Sequence, residues 1–304
     1  MHRFSYKLIS IFLLIPFLTG CSGSGPDSSK YPSVPTEIDK SYCAKDGRKY
    51  GHTVIIIDKT SKLKQEQLDF MKSHIFTDKL YGKSQPFTRF SYILIDSTKP
   101  QSQKYFWSVC RPKKGSNTYY SEQLYSDEYK KNDELSSDDE NAHIVELKWN
   151  DFMKEVELAS SEVLKIKDTE SKHSLIYETI IEVLRRPALD FGSDYPVRNL
   201  IIASDLMQHS KRLSFYSICK TNRLLKHPNI CPKFKTIEKD LTTELYLRKN
   251  TPKNIDDINI HIVYVNNRDE TKASLDETLL NLWMDYFEKF GFKKPSIERM
   301  VDTN

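Results

Sequence analysis

The strongest apolar run outside the extreme N-terminus is Thr53-Val54-Ile55-Ile56-Ile57, a continuous β-branched stretch of the kind a strand needs when both its faces are covered. It runs straight into Asp58. Apolar positions then recur at helical spacing over about 63–74, with Leu63, Leu68 and Met71 toward one face. Residues 90–95 and 104–110 read as two strands, and the link 96–103 is too short for a helical crossover, which predicts an antiparallel pair. Helices are expected over about 148–165 and 174–186, the second stopped by Pro187. A further buried strand over 198–204 also runs into an aspartate, Asp205. A helical segment near 236–247, a strand over 258–265 and an amphipathic helix over 275–290 complete the pattern. Trp283, Tyr286, Phe287, Phe290 and Phe292 keep helical spacing there and are expected in the core. Strands alternating with helices predict a three-layer α/β domain: a mostly parallel central sheet, one antiparallel edge hairpin and helices on both faces. Ligands of such folds sit at the carboxyl ends of the strands.

The polar segments set the boundaries. Residues 111–141 carry Gly115, Asn117, several tyrosines and the acidic run Ser136-Ser137-Asp138-Asp139-Glu140, and read as a long surface insertion. At the N-terminus Arg3 and Lys7 precede an apolar run over 8–18 that is too short to span a bilayer. It ends in Leu18-Thr19-Gly20-Cys21, which resembles the lipobox of bacterial lipoproteins. The resemblance implies a signal peptide over 1–20, a covalent lipid on Cys21 and a membrane-anchored chain; Ser22, being no aspartate, points to the outer membrane, facing the periplasm. Two or three acyl chains anchor firmly where one binds only marginally. Residues 21–49 are then the lipidated cysteine and a flexible tether, 50–292 the folded domain and 293–304 a C-terminal tail.

A formal charge of +4, which falls by two when Arg3 and Lys7 leave with the signal, gives no footprint for nucleic acid. Besides Cys21, the cysteines Cys43, Cys110, Cys219 and Cys231 allow two disulfides in three connectivities in an oxidising compartment. Cys219 and Cys231 bracket a short loop containing Pro228 and are the first expected pair. Neither they nor any Cys-x-x-Cys spacing form a zinc pattern.

If the two aspartate-terminated strands are neighbours, Asp58, Thr60, Ser174 and Asp205 converge on one edge of the sheet, and hard oxygen donors of this kind suit magnesium, calcium or manganese. At this point the chain resembles the von Willebrand factor A-like domains over about residues 50–292. The carrying residues are Thr53-Val54-Ile55-Ile56-Ile57-Asp58-Lys59-Thr60-Ser61, the helix start at Ser174, and Leu200-Ile201-Ile202-Ala203-Ser204-Asp205-Leu206. Cys110-Arg111-Pro112, the continuation Met207-Gln208-His209-Ser210 and Trp283-Met284-Asp285-Tyr286-Phe287-Glu288-Lys289-Phe290-Gly291 look like a bacterial lipoprotein subgroup. The resemblance implies a metal-ion-dependent adhesion site whose ion keeps an open position for a partner's acidic group. Asp58 and Thr60 match its first two positions, Ser174 its threonine loop and Asp205 its last aspartate. The third position is Lys62, which cannot ligate a metal while protonated. Ser61 is the adjacent substitute, and the Lys62 ammonium is a rival occupant of the ion's place. The site is therefore degenerate.

These readings converge on an envelope lipoprotein, not an enzyme, that binds another envelope protein through the edge bearing Asp58, Thr60, Ser61, Ser174 and Asp205. A metal-dependent hydrolase using Asp58, Asp205, His209 and His173 is the rival of another class, since one helical turn would bring Asp205 and His209 together. A purely structural component of a secretion or conjugation assembly is the third.

Overall fold

The computed structural model describes residues 37–60, 63–95, 106–114, 142–165, 173–210, 214–215, 254–265 and 273–300. Six strands form one sheet: β1 (His52–Asp58), β2 (Arg89–Ile95), β3 (Trp107–Cys110), β4 (Arg198–Ser204), β5 (Ile258–Tyr264) and β6 (Ser296–Arg299), in the order β3-β2-β1-β4-β5-β6. Only the β2–β3 pairing is antiparallel. This is the three-layer α/β arrangement expected from the sequence, with its single antiparallel edge hairpin.

The β-branched run of β1 is central because its side chains alternate between two filled layers. Val54 and Ile56 join Ile93, Leu200, Ile202 and Ile260 beneath α4 (Ile176–Arg185) and α5 (Ala273–Lys289). Ile55 and Ile57 join Tyr92, Ile201 and Ala203 on the other face, beneath α1 (Gln65–Ile75), α2 (Asp78–Gly82) and α3 (Ala142–Lys165). Each such side chain, fully buried, contributes about 1.5–3 kcal/mol. Trp283, Tyr286, Phe287 and Phe292 are buried in the first layer, as their spacing predicts.

The structure moves three boundaries. The flexible tether was expected to reach residue 49, yet the chain from Glu37 onward is fastened to the sheet. Asp39 Oδ1 accepts the amides of Ser41 and Cys43, Ile38 bridges Ala44, and Cys110 N–H donates to Ser41 O at 2.9 Å, while a disulfide joins Cys43 to Cys110. This N-terminal strap covers part of the exposed edge of β3. At the other end, the expected tail supplies β6. Its four residues include one apolar side chain, Ile297, so periodicity could not reveal it, but Gly291 at φ +86 turns the chain out of α5 and back along β5. Third, Arg111 does not begin a surface insertion. It is buried, and its Nε donates to Tyr81 O at 2.8 Å, which closes the end of α2. Cys219, Cys231 and the segment near 236–247 lie outside the described residues. With Cys43 and Cys110 paired, Cys219–Cys231 is the only second disulfide left to this set of four.

His52 opens β1 and is fully buried. Its Nδ1 lies 2.9 Å from Asp190 O, a pure acceptor, so Nδ1 carries the proton and Nε2 accepts from Ser91 Oγ at 2.9 Å. Burial, the largest cause, pushes its pKa down to about 3. An unfolded His52 takes up a proton near pH 6.5 that the folded one refuses, so stability is full above that value and is lost as pH falls from about 6.5 toward 3. At pH 5 this contributes about 2 kcal/mol of destabilisation. Urea midpoints at pH 7 and pH 5 for wild type and His52→Gln test this: the pH-dependent loss is expected to shrink by that amount in the variant, and an equal loss in both would refute it.

Candidate functional site

Side-chain alternation puts Asp58 and Ser204, at the carboxyl ends of β1 and β4, on the face covered by α4. The Asp58 carboxylate is buried and collects four donors. Oδ1 accepts Thr60 N–H at 3.0 Å and Thr60 Oγ1–H at 2.6 Å, and Oδ2 accepts the hydroxyls of Ser174 and Ser204, each at 2.8 Å. One carboxylate thus joins the loop after β1, the approach to α4 and the end of β4. Charge-assisted bonds of this kind are about twice as strong as neutral ones.

The segment after β4 is held just as closely. Leu206 N–H donates to Ser204 Oγ at 2.8 Å and Met207 N–H to Asp205 Oδ1 at 3.0 Å. Leu206 has φ +59, a left-handed conformation that a leucine adopts only under constraint, and its carbonyl accepts the Trp283 indole N–H at 3.0 Å. Gln208, fully buried, accepts Tyr177 N–H through Oε1 at 2.8 Å and donates through Nε2 to Glu178 at 3.0 Å. It therefore caps α4 from a distant part of the chain, where the N-cap residue Leu175 supplies no side-chain bond. Ser174 and His209 exchange backbone hydrogen bonds at 2.9 and 2.8 Å, and His209 also bridges Ser214.

Of the residues expected at this edge, Asp58, Thr60 and Ser174 are brought together, and Asp205 stands at the start of the adjoining loop, its Oδ1 folded onto that loop's own backbone. Ser61 and Lys62 lie outside the described residues. The expected helical turn from Asp205 to His209 does not form, because Leu206 leaves right-handed space and His209 enters a bridge. His209 instead stacks on His173, ring centroids 5.4 Å apart, and its Nδ1 lies 2.6 Å from Ser214 Oγ. Desolvation first, and the neighbouring His173 second, lower the His209 pKa.

Two residues at this edge escaped the sequence reading. Ser204 is the last position of a strand whose even members share the Asp58 face, which was readable only once the strands were known to be neighbours. Lys59 was overshadowed by Lys62. It is buried on the opposite face, where Nζ donates to Val163 O at 3.1 Å in the last turn of α3, the negative end of that helix.

The donors gathered here, one carboxylate and three hydroxyls, suit a hard cation in kind. They bring a single negative charge, and both carboxylate oxygens are already bonded. Among the described residues no group of three or more His, Cys, Asp and Glu is placed to hold a metal ion.

No protein-family model matches the chain, and no curated protein matches it. Among solved structures it is similar to an aerotolerance-related membrane protein from Bacteroides fragilis NCTC 9343, bearing multiple mutations to serines. The identity is 10%, the match covers 84% of this chain and 93% of that one, and the TM-score is 0.32. So loose an overlap bears on neither site nor function, and the fold assignment rests on the strand order and register. Among the described residues no helix is long and apolar enough to cross a membrane.

Proposed function

We propose that the chain is a lipid-anchored module of the bacterial envelope that binds another envelope protein through the loops at the carboxyl end of its sheet, as an A-like domain would. Leu18-Thr19-Gly20-Cys21 supports the anchor, Ser22 the outer membrane, and the disulfide between Cys43 and Cys110 an oxidising compartment. The observation that carries the docking surface is the Asp58 carboxylate, which ties Thr60, Ser174 and Ser204 together. These residues and Asp205 are each less than a tenth exposed. The partner therefore meets the loops they shape, with His173 and His209 partly exposed among them. A magnesium, calcium or manganese ion, where one binds, would be held by Asp58, Thr60, Ser174, Ser204 and Asp205. The role is binding, with no catalytic residue assigned.

The test is photo-crosslinking in cells from a reactive amino acid placed at position 173 of the full chain. A discrete partner band is expected, reduced at least tenfold by Asp58→Asn in protein that still folds. The Cys21→Ala chain is expected in the soluble envelope fraction. Unchanged capture in the Asp58 variant would defeat the docking surface, and continued sedimentation of the Cys21 variant with membranes would defeat the anchor.

A further inference from the structure

At the opposite end of the sheet, where the strands begin, the strap and the entry to β2 enclose a half-open cavity of about 90 Å³. Its wall contains three cations, Arg48, Lys49 and Arg89, and three aromatic rings, Tyr50, Phe87 and Tyr195, with the Cys43–Cys110 disulfide alongside. Among the described residues no carboxylate lines it. We propose that this cavity binds the carboxylate of a small acid or of a peptide's C-terminus, with the group's short apolar stem against the rings.

The nearby acids pair with the cations and hold them in place. Asp190 accepts Lys49 Nζ at 2.7 and 2.6 Å, Arg89 Nη1 at 2.9 Å and Tyr195 OH at 2.9 Å, and Asp46 pairs with Arg48 at 2.8 Å. Asp194 lies 3.6 Å from Lys49 and is mostly exposed. Asp190 itself sits at φ +45 after the short helical turn Pro187–Leu189, so the backbone is bent to present its carboxylate to Lys49 and Arg89. Burial alone would raise the Asp190 pKa, but the contacts from Lys49, Tyr195 and Arg89 outweigh it and keep the group ionised. The cations are thereby pre-ordered, which lowers the entropy lost when an anion arrives.

Arg89 carries the recognition. Among the described residues only its Nη1 has a side-chain hydrogen bond, leaving donors of a planar fork that matches a carboxylate in two-point contact. Lys49 Nζ lies over the Tyr195 ring at 4.5 Å from its centroid, and Tyr50 and Phe87 rings meet at 5.1 Å, so charge and an apolar wall are adjacent. That pairing is what a carboxylate on a short carbon stem requires and what a bare inorganic anion uses only in part. The site is at the far end of the strands from Asp58 and does not depend on the docking surface there.

The test titrates the full chain in detergent with propionate, inorganic phosphate and neutral propionamide, following the protein's tyrosine ring resonances by NMR. A tripeptide with a free C-terminus and its amidated form provide a second pair. Saturable shifts with propionate, weaker ones with phosphate, none with propionamide, and at least tenfold weaker propionate binding in both Arg89→Gln and Arg48→Gln are expected. Tighter binding of the free-carboxylate tripeptide than of propionate would identify a chain terminus as the source, and the reverse a free acid. Equal responses to propionate and propionamide, or propionate binding unchanged in both variants while their thermal midpoints match wild type, would overturn the proposal.

Discussion

Asp58→Ala is expected to lower the unfolding free energy by about 3–4 kcal/mol, since hydrogen bonds to a charged group contribute about 1.5–3 kcal/mol each and the four made here are not additive. The substitution leaves one amide and three hydroxyl donors without their acceptor, in residues that are all buried. Hydroxyls can rotate toward other acceptors, which keeps the loss below the full sum. Asp58→Asn retains one acceptor oxygen and should cost about half as much, while Ser204→Ala removes one donor from a carboxylate that keeps three and also strips the buried Leu206 amide of its acceptor, and should cost about 2–3 kcal/mol. Urea unfolding at pH 7, extrapolated linearly with a common slope, gives all three values. A loss below about 1 kcal/mol for Asp58→Ala would mean that the carboxylate does not organise this edge.

The central sheet was legible because β1 and β4 bury both faces and show as apolar runs without alternation, each closed by an aspartate, while β2 ends in the apolar run Tyr92-Ile93-Leu94-Ile95 and β5 alternates Ile258, Ile260 and Ile262 with Asn259 and His261. Convergence of Asp58, Thr60 and Ser174 followed from the assumption that β1 and β4 are neighbours, which their register of His52 opposite Arg198 bears out. What stayed hidden depends on long-range pairing or on backbone conformation. Gln208 is an ordinary polar residue in the sequence, and only the fold sets it against the open amides of α4. The helical turn from Asp205 to His209 was a reasonable extrapolation from spacing, defeated by one residue, Leu206, whose left-handed conformation serves the Trp283 and Ser204 contacts. The strap and β6 are short and polar, the one fastened by a disulfide, a tight turn and a backbone bond to β3 and the other by a sheet edge, and none of these features has a period.

Breaking the Cys43–Cys110 disulfide is expected to cost about 4 kcal/mol in the chain-entropy account, because it links residues 67 apart and so restricts a long loop of the unfolded chain. The folded state also loses by it. Tyr42, itself at φ +61, lays its ring edge-on to Phe152 of α3 at 6.0 Å, and the strap's short turn and its link to β3 help to hold that contact in place. Once the strap frays, the outward amide of Cys110 loses Ser41 O and the β3 edge lies open to pairing with other chains. Denaturant melts of wild type with and without a thiol reductant, beside the Cys43→Ser, Cys110→Ser double variant, separate these effects. Without reductant, the gap between wild type and the double variant reads the Cys43–Cys110 bond alone, and any further shift of the variant under reductant reads the Cys219–Cys231 pair. A shift under about 1 kcal/mol would show that the strap docks through its backbone bonds alone, whereas the full loss with unchanged hydrogen exchange at Ser41 and Cys110 would place the whole effect in the unfolded chain.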